Sequence, residues 1–168
     1  MKSKRFLTAI LLLLSIGQIA TSEAADTDKS ITIFLDRGGK LVPVAAVLPW
    51  TKHPEERIHD ALELLILSDK SYTRTLPKET KVKRIFIDAA KVIYLDFSGE
   101  LIKNHPGGVW TEVLTVSSIC KTIFANFEAH SIRIMADGKE LKTLAGHLDL
   151  TAPITRERVE LWLGEEEI

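Results

Sequence analysis

The chain has 168 residues, of which 45% are hydrophobic and 27% are charged, and its formal net charge is −1. This length and composition predict one globular domain and exclude a disordered chain. The nearly balanced charge gives the protein no electrostatic attraction for nucleic acid or for an anionic membrane, so we expect neither as a partner.

Residues 1–24 are typical of a secretory signal peptide. A basic segment at residues 2–5 precedes an apolar run at residues 6–19, and Ser22-Glu23-Ala24 forms a small-x-small cleavage pattern. The run of about 14 apolar residues is shorter than the ~20 residues that cross a bilayer. We therefore expect cleavage after Ala24, no transmembrane span in the mature chain, and a location on the periplasmic or extracellular face of the cell envelope.

The mature chain is expected to be mildly acidic and free of internal disulfides. Removal of three basic residues and Glu23 changes the net charge from −1 to −3. Cys120 is the only cysteine, so it has no partner within the chain. It lies on the apolar side of a predicted helix, a position that favours a packed thiol over a catalytic one.

A polar leader at residues 25–30 precedes a predicted β-hairpin. Its arms are residues 31–35 and 41–44, and the connection contains two glycines that can adopt positive φ. Pro43 cannot donate a backbone hydrogen bond, so the second arm is expected either to lie at a sheet edge or to be irregular.

The next predicted element is a helix over residues 51–69. Pro54 suits its first position, and the two glutamates that follow suit the positive end of the helix dipole. The predicted core stripe consists of Ile58, Ala61, Leu62, Leu65 and Ile66.

The second half of the chain predicts a hairpin, a long helix and a further strand. Residues 82–88 and 92–97 form the hairpin, and residues 131–135 form the later strand before the turn Asp137-Gly138. The long helix covers about five turns. Its apolar positions are Trp110, Val113, Leu114, Val116, Ile119, Cys120, Ile123, Phe124 and Phe127.

This order of elements predicts an α+β fold in which two helices pack on one face of a mixed or antiparallel sheet built from hairpins. The compact region is expected to end near residue 153, and residues 154–168 form a charged C-terminal tail.

The connection between the central strand and the long helix contains the residues that could perform chemistry. Asp96, Ser98 and His105 contain a carboxylate, a hydroxyl and an imidazole, the groups of a small hydrolase site. Asp96 and Glu100 could instead act as paired carboxylates. Because no Gly-x-Ser-x-Gly sequence is present, Ser98 is equally well explained as a residue that ends the strand.

The start of the long helix offers a second candidate site. Gly107 and Gly108 could expose backbone N–H groups to an anion, or could simply allow a tight reversal into the helix. Glu112 lies in the first helical turn, where the helix dipole alone favours a carboxylate. The five histidines lack the spacing of zinc ligands, so we expect neither a metal nor a cofactor.

Six short stretches occur in this order along the chain: Tyr94-Leu95-Asp96-Phe97-Ser98, His105-Pro106-Gly107-Gly108, Glu112, Leu114-Thr115-Val116-Ser117-Ser118-Ile119, Asp137-Gly138-Lys139 and Leu144-Ala145-Gly146-His147-Leu148-Asp149. The series resembles the GerM (Germane) domain of bacterial sporulation, spore-germination and cell-envelope proteins. The resemblance covers residues 31–153.

The resemblance implies an extracytoplasmic, non-enzymatic α+β module that binds peptidoglycan or envelope proteins. It implies no catalytic residues, so Asp96, Ser98, His105, Gly107, Gly108 and Glu112 are candidates for ligand binding only. Similarity to ring-building domains also implies a homo-oligomer as one form. Two alternatives remain open: a small envelope hydrolase that uses the loop from Asp96 to His105, and a self-assembling ring-type structural module.

Overall fold

The computed structural model describes residues 29–49, 51, 53–67 and 71–164. The predicted signal peptide lies outside these residues, as does most of the leader. No helix within the described ranges is long and apolar enough to cross a membrane. The elements are β1 (Lys29–Asp36), β2 (Leu41–Leu48), α1 (Pro54–Ile66), β3 (Val82–Ile87), β4 (Val92–Phe97), α2 (Glu100–Lys103), α3 (Val109–Asn126), β5 (Ser131–Ala136), β6 (Lys139–Glu140) and α4 (Arg156–Leu163).

The predicted α+β class is confirmed, with the strands divided between two sheets. β1 and β2 form an antiparallel pair, and the second sheet has the order β3-β4-β5-β6. β4 and β5 pair in parallel, whereas the other pairs of this sheet are antiparallel. The sheet is mixed because α3 connects β4 to β5 and returns the chain to the end where β4 began, as parallel pairing requires.

One hydrophobic core joins both sheets to the helices. Alternate residues of β4 and β5 point into it, so each strand has one face buried and one face turned outward. The inward residues of these two strands are Ile93, Leu95, Phe97, Ile132, Ile134 and Ala136.

α1 and α3 bury the faces that the sequence predicts. All five residues of the predicted α1 stripe are buried, although the helix is shorter than residues 51–69. On α3, Cys120 is fully buried, and this burial raises the pKa of its thiol. Trp110 is an exception to the predicted core, since it remains 47% exposed while its indole N–H donates to the Gly39 carbonyl. The helix begins beyond the edge of the core, and a tryptophan there keeps its polar group satisfied.

A row of polar side chains on α3 satisfies the edge of β1 that faces away from β2. Asn126 accepts from the Thr32 N–H (2.8 Å) and donates to the Thr32 carbonyl (2.6 Å). The Phe34 N–H donates to Thr122 (3.0 Å) and the Phe34 carbonyl accepts from Ser118 (2.6 Å). These three helix residues are four apart and therefore share one face. The helix thus closes this edge of the sheet.

Part of the segment expected as a charged tail forms α4. The Thr155 hydroxyl accepts from the Arg158 N–H at the start of the helix, and Gly164 ends it in the left-handed conformation. Val159 is 1% exposed and belongs to the core. Just before α4, Ile154 forms a two-residue bridge with Ile132 of β5.

Candidate functional site

The candidate residues occupy two different environments. Asp96 faces the outer surface of the second sheet, whereas Ser98, His105, Gly107, Gly108 and Glu112 lie along the connection into α3 or in its first turn.

Asp96 is a buried carboxylate held by an arginine and by a backbone amide. Its Oδ2 accepts from Arg84 Nε (3.0 Å) and Nη2 (2.8 Å), and its Oδ1 accepts from the Gly138 N–H (2.8 Å). Asp96 is 4% exposed, but the Arg84 side chain is 70% exposed. Gly138 has φ +76°, and an added Cβ would lie 2.9 Å from Arg84 Nη2. The positive φ therefore favours glycine where the β5–β6 turn approaches this ion pair, and a larger residue would also displace the Arg84 guanidinium.

An open apolar depression lies beside this ion pair on the outer face of the sheet. Phe86 is 62% exposed, and its ring lies 5.8 Å from the ring of Tyr94 at an interplanar angle of 48°. Met135 of β5 completes the apolar floor, and the depression has a volume of about 330 Å³. None of the described helices covers this face. Sequence reasoning missed this group of residues, although their alternation along β3, β4 and β5 places them on one face.

Ser98 is engaged within the chain. Its hydroxyl accepts from the Lys81 N–H (3.1 Å), and its carbonyl accepts from the Leu101 N–H at the start of α2. The hydroxyl also lowers the pKa of Glu100 through a hydrogen bond. Ser98 therefore ends β4, as one of its two interpretations predicted, and its carbonyl accepts a hydrogen bond from the short helix that follows.

Both ring nitrogens of His105 have partners. The Gly107 N–H donates to Nδ1 (3.1 Å), so the proton of the neutral ring lies on Nε2, which is 3.0 Å from the Thr115 hydroxyl. That hydroxyl is 2.6 Å from the Thr75 carbonyl, to which it donates. Burial lowers the pKa of His105 and outweighs the opposing effect of Glu112. Because both nitrogens of the neutral imidazole take part in hydrogen bonds, neither is free to act as a base.

Asp96, Ser98 and His105 share no hydrogen bond with one another, so these three residues do not form a nucleophile–base arrangement. Within the described ranges, no group of three or more His, Cys, Asp or Glu side chains could hold a metal ion.

The glycine pair forms the turn into α3. Gly107 has φ +80° and Gly108 has φ +90°, and the Gly108 carbonyl accepts from the Glu112 N–H (3.0 Å). A Cβ on Gly107 would meet no atom within 4 Å. The positive φ values, rather than lack of space, therefore explain glycine at these two positions.

Glu112 is fully buried and anchors a distant loop. Its Oε1 accepts from the Thr143 hydroxyl (2.7 Å) and the Leu144 N–H (2.8 Å), and its Oε2 accepts from the His147 N–H (2.8 Å). Burial raises the pKa of this carboxyl, but these donors and the Ala145 N–H outweigh it and lower the pKa overall. The hydrogen bonds of this carboxylate are therefore made within the chain. They join two of the stretches that carry the family resemblance.

The fold is similar to those of known proteins. The chain is 21% identical to the first GerMN domain of the sporulation protein GerM from Bacillus subtilis, with a TM-score of 0.58 over 77% of this chain and 98% of that domain. The tandem GerMN domains of the same protein give a TM-score of 0.60 at 21% identity, over 77% of this chain and 46% of that one. A lipoprotein candidate from Clostridium perfringens gives 0.56 at 22% identity, over 77% and 89%.

No curated protein matches the chain. The model of the Germane family, described as sporulation and spore germination, matches residues 33–142, which is more than half of the sequence. This protein therefore belongs to the Germane family.

Proposed function

We propose that the protein is an exported, non-enzymatic binding module of the bacterial cell envelope and that it binds through the outer face of β3, β4 and β5. The observation that carries the proposal is the open depression lined by Phe86, Tyr94 and Met135 beside the Arg84–Asp96 pair. Exposed aromatic residues next to a fixed arginine are typical of binding surfaces.

The hydrogen bonds that the other candidate residues form within the chain support binding rather than catalysis. Ser98, His105 and Glu112 all form hydrogen bonds within the chain, and these bonds hold turns and loops in place. Asp96 differs from them because its partner Arg84 reaches solvent. The signal-peptide pattern of residues 1–24 supports export.

The chemistry of the depression favours peptidoglycan as the first ligand to test. Apolar faces of sugar rings can pack against the exposed ring of Phe86 and the half-buried ring of Tyr94. Carboxylates of stem peptides can pair with the free N–H groups of Arg84. Asp96 holds the guanidinium in place, so less side-chain entropy is lost on binding.

Co-sedimentation of the mature protein with purified peptidoglycan tests the proposal. We expect saturable pelleting of the wild type and a loss of about tenfold or more in affinity for Phe86→Ala. Val47→Ala is the matched control, because Val47 is 61% exposed and lies on the other sheet. Equal binding by both variants would show that the outer face is the wrong surface.

Two further readouts separate the alternatives. Release of soluble wall fragments from the same pellets would contradict the non-enzymatic assignment. Absence of pelleting would exclude peptidoglycan as the ligand, and cross-linking in cells with a photoreactive residue at position 86 would then identify envelope proteins at this face.

A further inference from the structure

We infer that β2 forms an antiparallel pair with β2 of a second copy of the chain, which joins two β1–β2 hairpins into one four-stranded sheet. The inference rests on the open backbone edge of β2 and on its lack of charge. It is independent of the proposed ligand-binding face.

The hydrogen bonds of β1 determine which groups of β2 point outward. Thr32 and Phe34 direct their backbone groups toward α3, and Asp36 directs its carbonyl toward Thr73. Because the direction of backbone N–H and C=O groups alternates along a strand, the β1 residues between these three direct their backbone groups toward β2. Ala45 and Pro43 are the register partners of Thr32 and Phe34, so their backbone groups face away from β1.

The outward edge of β2 therefore presents unpaired backbone groups. Ala45 and Val47 offer both N–H and C=O groups, whereas Pro43 offers only C=O. No described residue forms a hydrogen bond to this edge. The side chains of these three residues are all exposed, so a second strand has access to the edge.

The composition of β2 is unusual for an open edge. The eight residues Leu-Val-Pro-Val-Ala-Ala-Val-Leu contain no charged or polar side chain. Edge strands that stay unpaired are usually protected by charges, prolines or bulges, and here Pro43 is the only such feature within the strand. β1 needs no protection, because the polar row of α3 covers its edge.

The uncharged edge favours a second copy as the partner. An uncharged strand is complementary to another uncharged strand, since a charged partner would lose hydration without gaining an ion pair. A two-fold axis places the same edge on both sides of the contact and closes the assembly at a dimer. Pairing also extends a two-stranded sheet to four strands, a more stable size.

Two proline changes test this pairing in opposite directions. Pro43→Ala restores an outward N–H and is expected to lower the dimer dissociation constant about tenfold. Ala45→Pro removes an outward N–H without removing a β1–β2 hydrogen bond, and is expected to raise the constant at least about tenfold. Sedimentation equilibrium over a concentration series measures the constant, and circular dichroism checks that each variant is folded.

A matched lysine pair provides a second test if Ala45→Pro fails to fold. Val47→Lys places a charge on the β2 edge and is expected to weaken the dimer, whereas Phe86→Lys has the same exposure on the other sheet and is expected to leave it intact. A wild type that stays monomeric up to about 1 mM overturns the inference. So does a dimer that none of the three β2 changes affects.

Discussion

Asp96 and Glu112 are both buried carboxylates, but they have different partners. Glu112 accepts only from backbone amides and one hydroxyl of the loop Thr143–His147, and it has no contact with solvent. Asp96 accepts from a backbone amide and from Arg84, whose side chain is 70% exposed.

The contrast separates two uses of a buried charge. A buried carboxylate whose donors all lie in one distant loop connects two parts of the chain, and its loss leaves those donors without partners. A carboxylate paired with an exposed arginine fixes the direction of a group that a ligand can reach. Neither burial nor charge distinguishes the two residues, so the location of the donors decides their roles.

The largest expected effect on stability comes from replacing Glu112. Glu112→Ala leaves three backbone amides and a hydroxyl unpaired, so it should lower the free energy of unfolding by about 3–5 kcal/mol in urea titrations. Glu128→Ala is the control, since Glu128 makes only an exposed ion pair with Lys91 and should change stability by less than about 1 kcal/mol. A similar small loss in Glu112→Ala would show that the loop Thr143–His147 does not depend on this carboxylate.

Lowering the pH should cause part of the same decrease in the free energy of unfolding of the wild type. Because the folded-state pKa of Glu112 lies below the ordinary 4.5, its contribution is present above that pH and disappears as the pH falls through the lowered pKa. Urea titrations of wild type and Glu112→Gln at pH 6 and below test this, and the variant should depend less on pH in the acid range.

Asp96→Ala should have an intermediate effect on stability. Water can reach Arg84 when its partner is removed, so the cost should be about 1–2 kcal/mol, measured by the same urea titrations. Peptidoglycan binding should weaken in the same variant, because Arg84 loses its fixed orientation. A stability loss as large as that of Glu112→Ala would show that the ion pair is mainly a structural connection.

The smallest expected effect concerns His105. Burial lowers its pKa below 6.5, so the unfolded chain binds a proton before the folded chain does, and stability should fall as the pH decreases below about 6.5. His105→Gln should be less stable at neutral pH and should show a flatter profile between about pH 7 and 5. A variant profile parallel to that of the wild type would assign the dependence to other groups.

Much of the architecture could be predicted because it depends on local patterns. The α1 stripe, the β1–β2 and β3–β4 hairpins, the strand before the Asp137-Gly138 turn and the length of α3 all follow from the spacing of apolar residues and from turn residues. β2 continues to Leu48, beyond the predicted residues 41–44. Trp110 was wrongly predicted as core, because helical spacing does not show where a helix extends beyond its sheet.

The candidate site was harder to predict because it depends on residues distant in sequence. The sequence indicated Asp96 and Glu112 but contained no sign of their partners, which are 12 residues away for Arg84 and 31 or more for the Glu112 loop. The polar row on α3 had a local sign, since Ser118, Thr122 and Asn126 are four residues apart, but its target in β1 is more than 80 residues away.

The sequence by itself determined the fold class, the order of the main strands and the two long helices, and the membership of the Germane family, because these depend on periodicity and on short motifs. Only the tertiary structure decided that Glu112 holds the loop Thr143–His147, that Asp96 orients Arg84 beside an apolar depression, and that β2 rather than β1 has the open edge. These properties depend on which groups find partners, and pairing across the chain is set by packing rather than by neighbours in sequence.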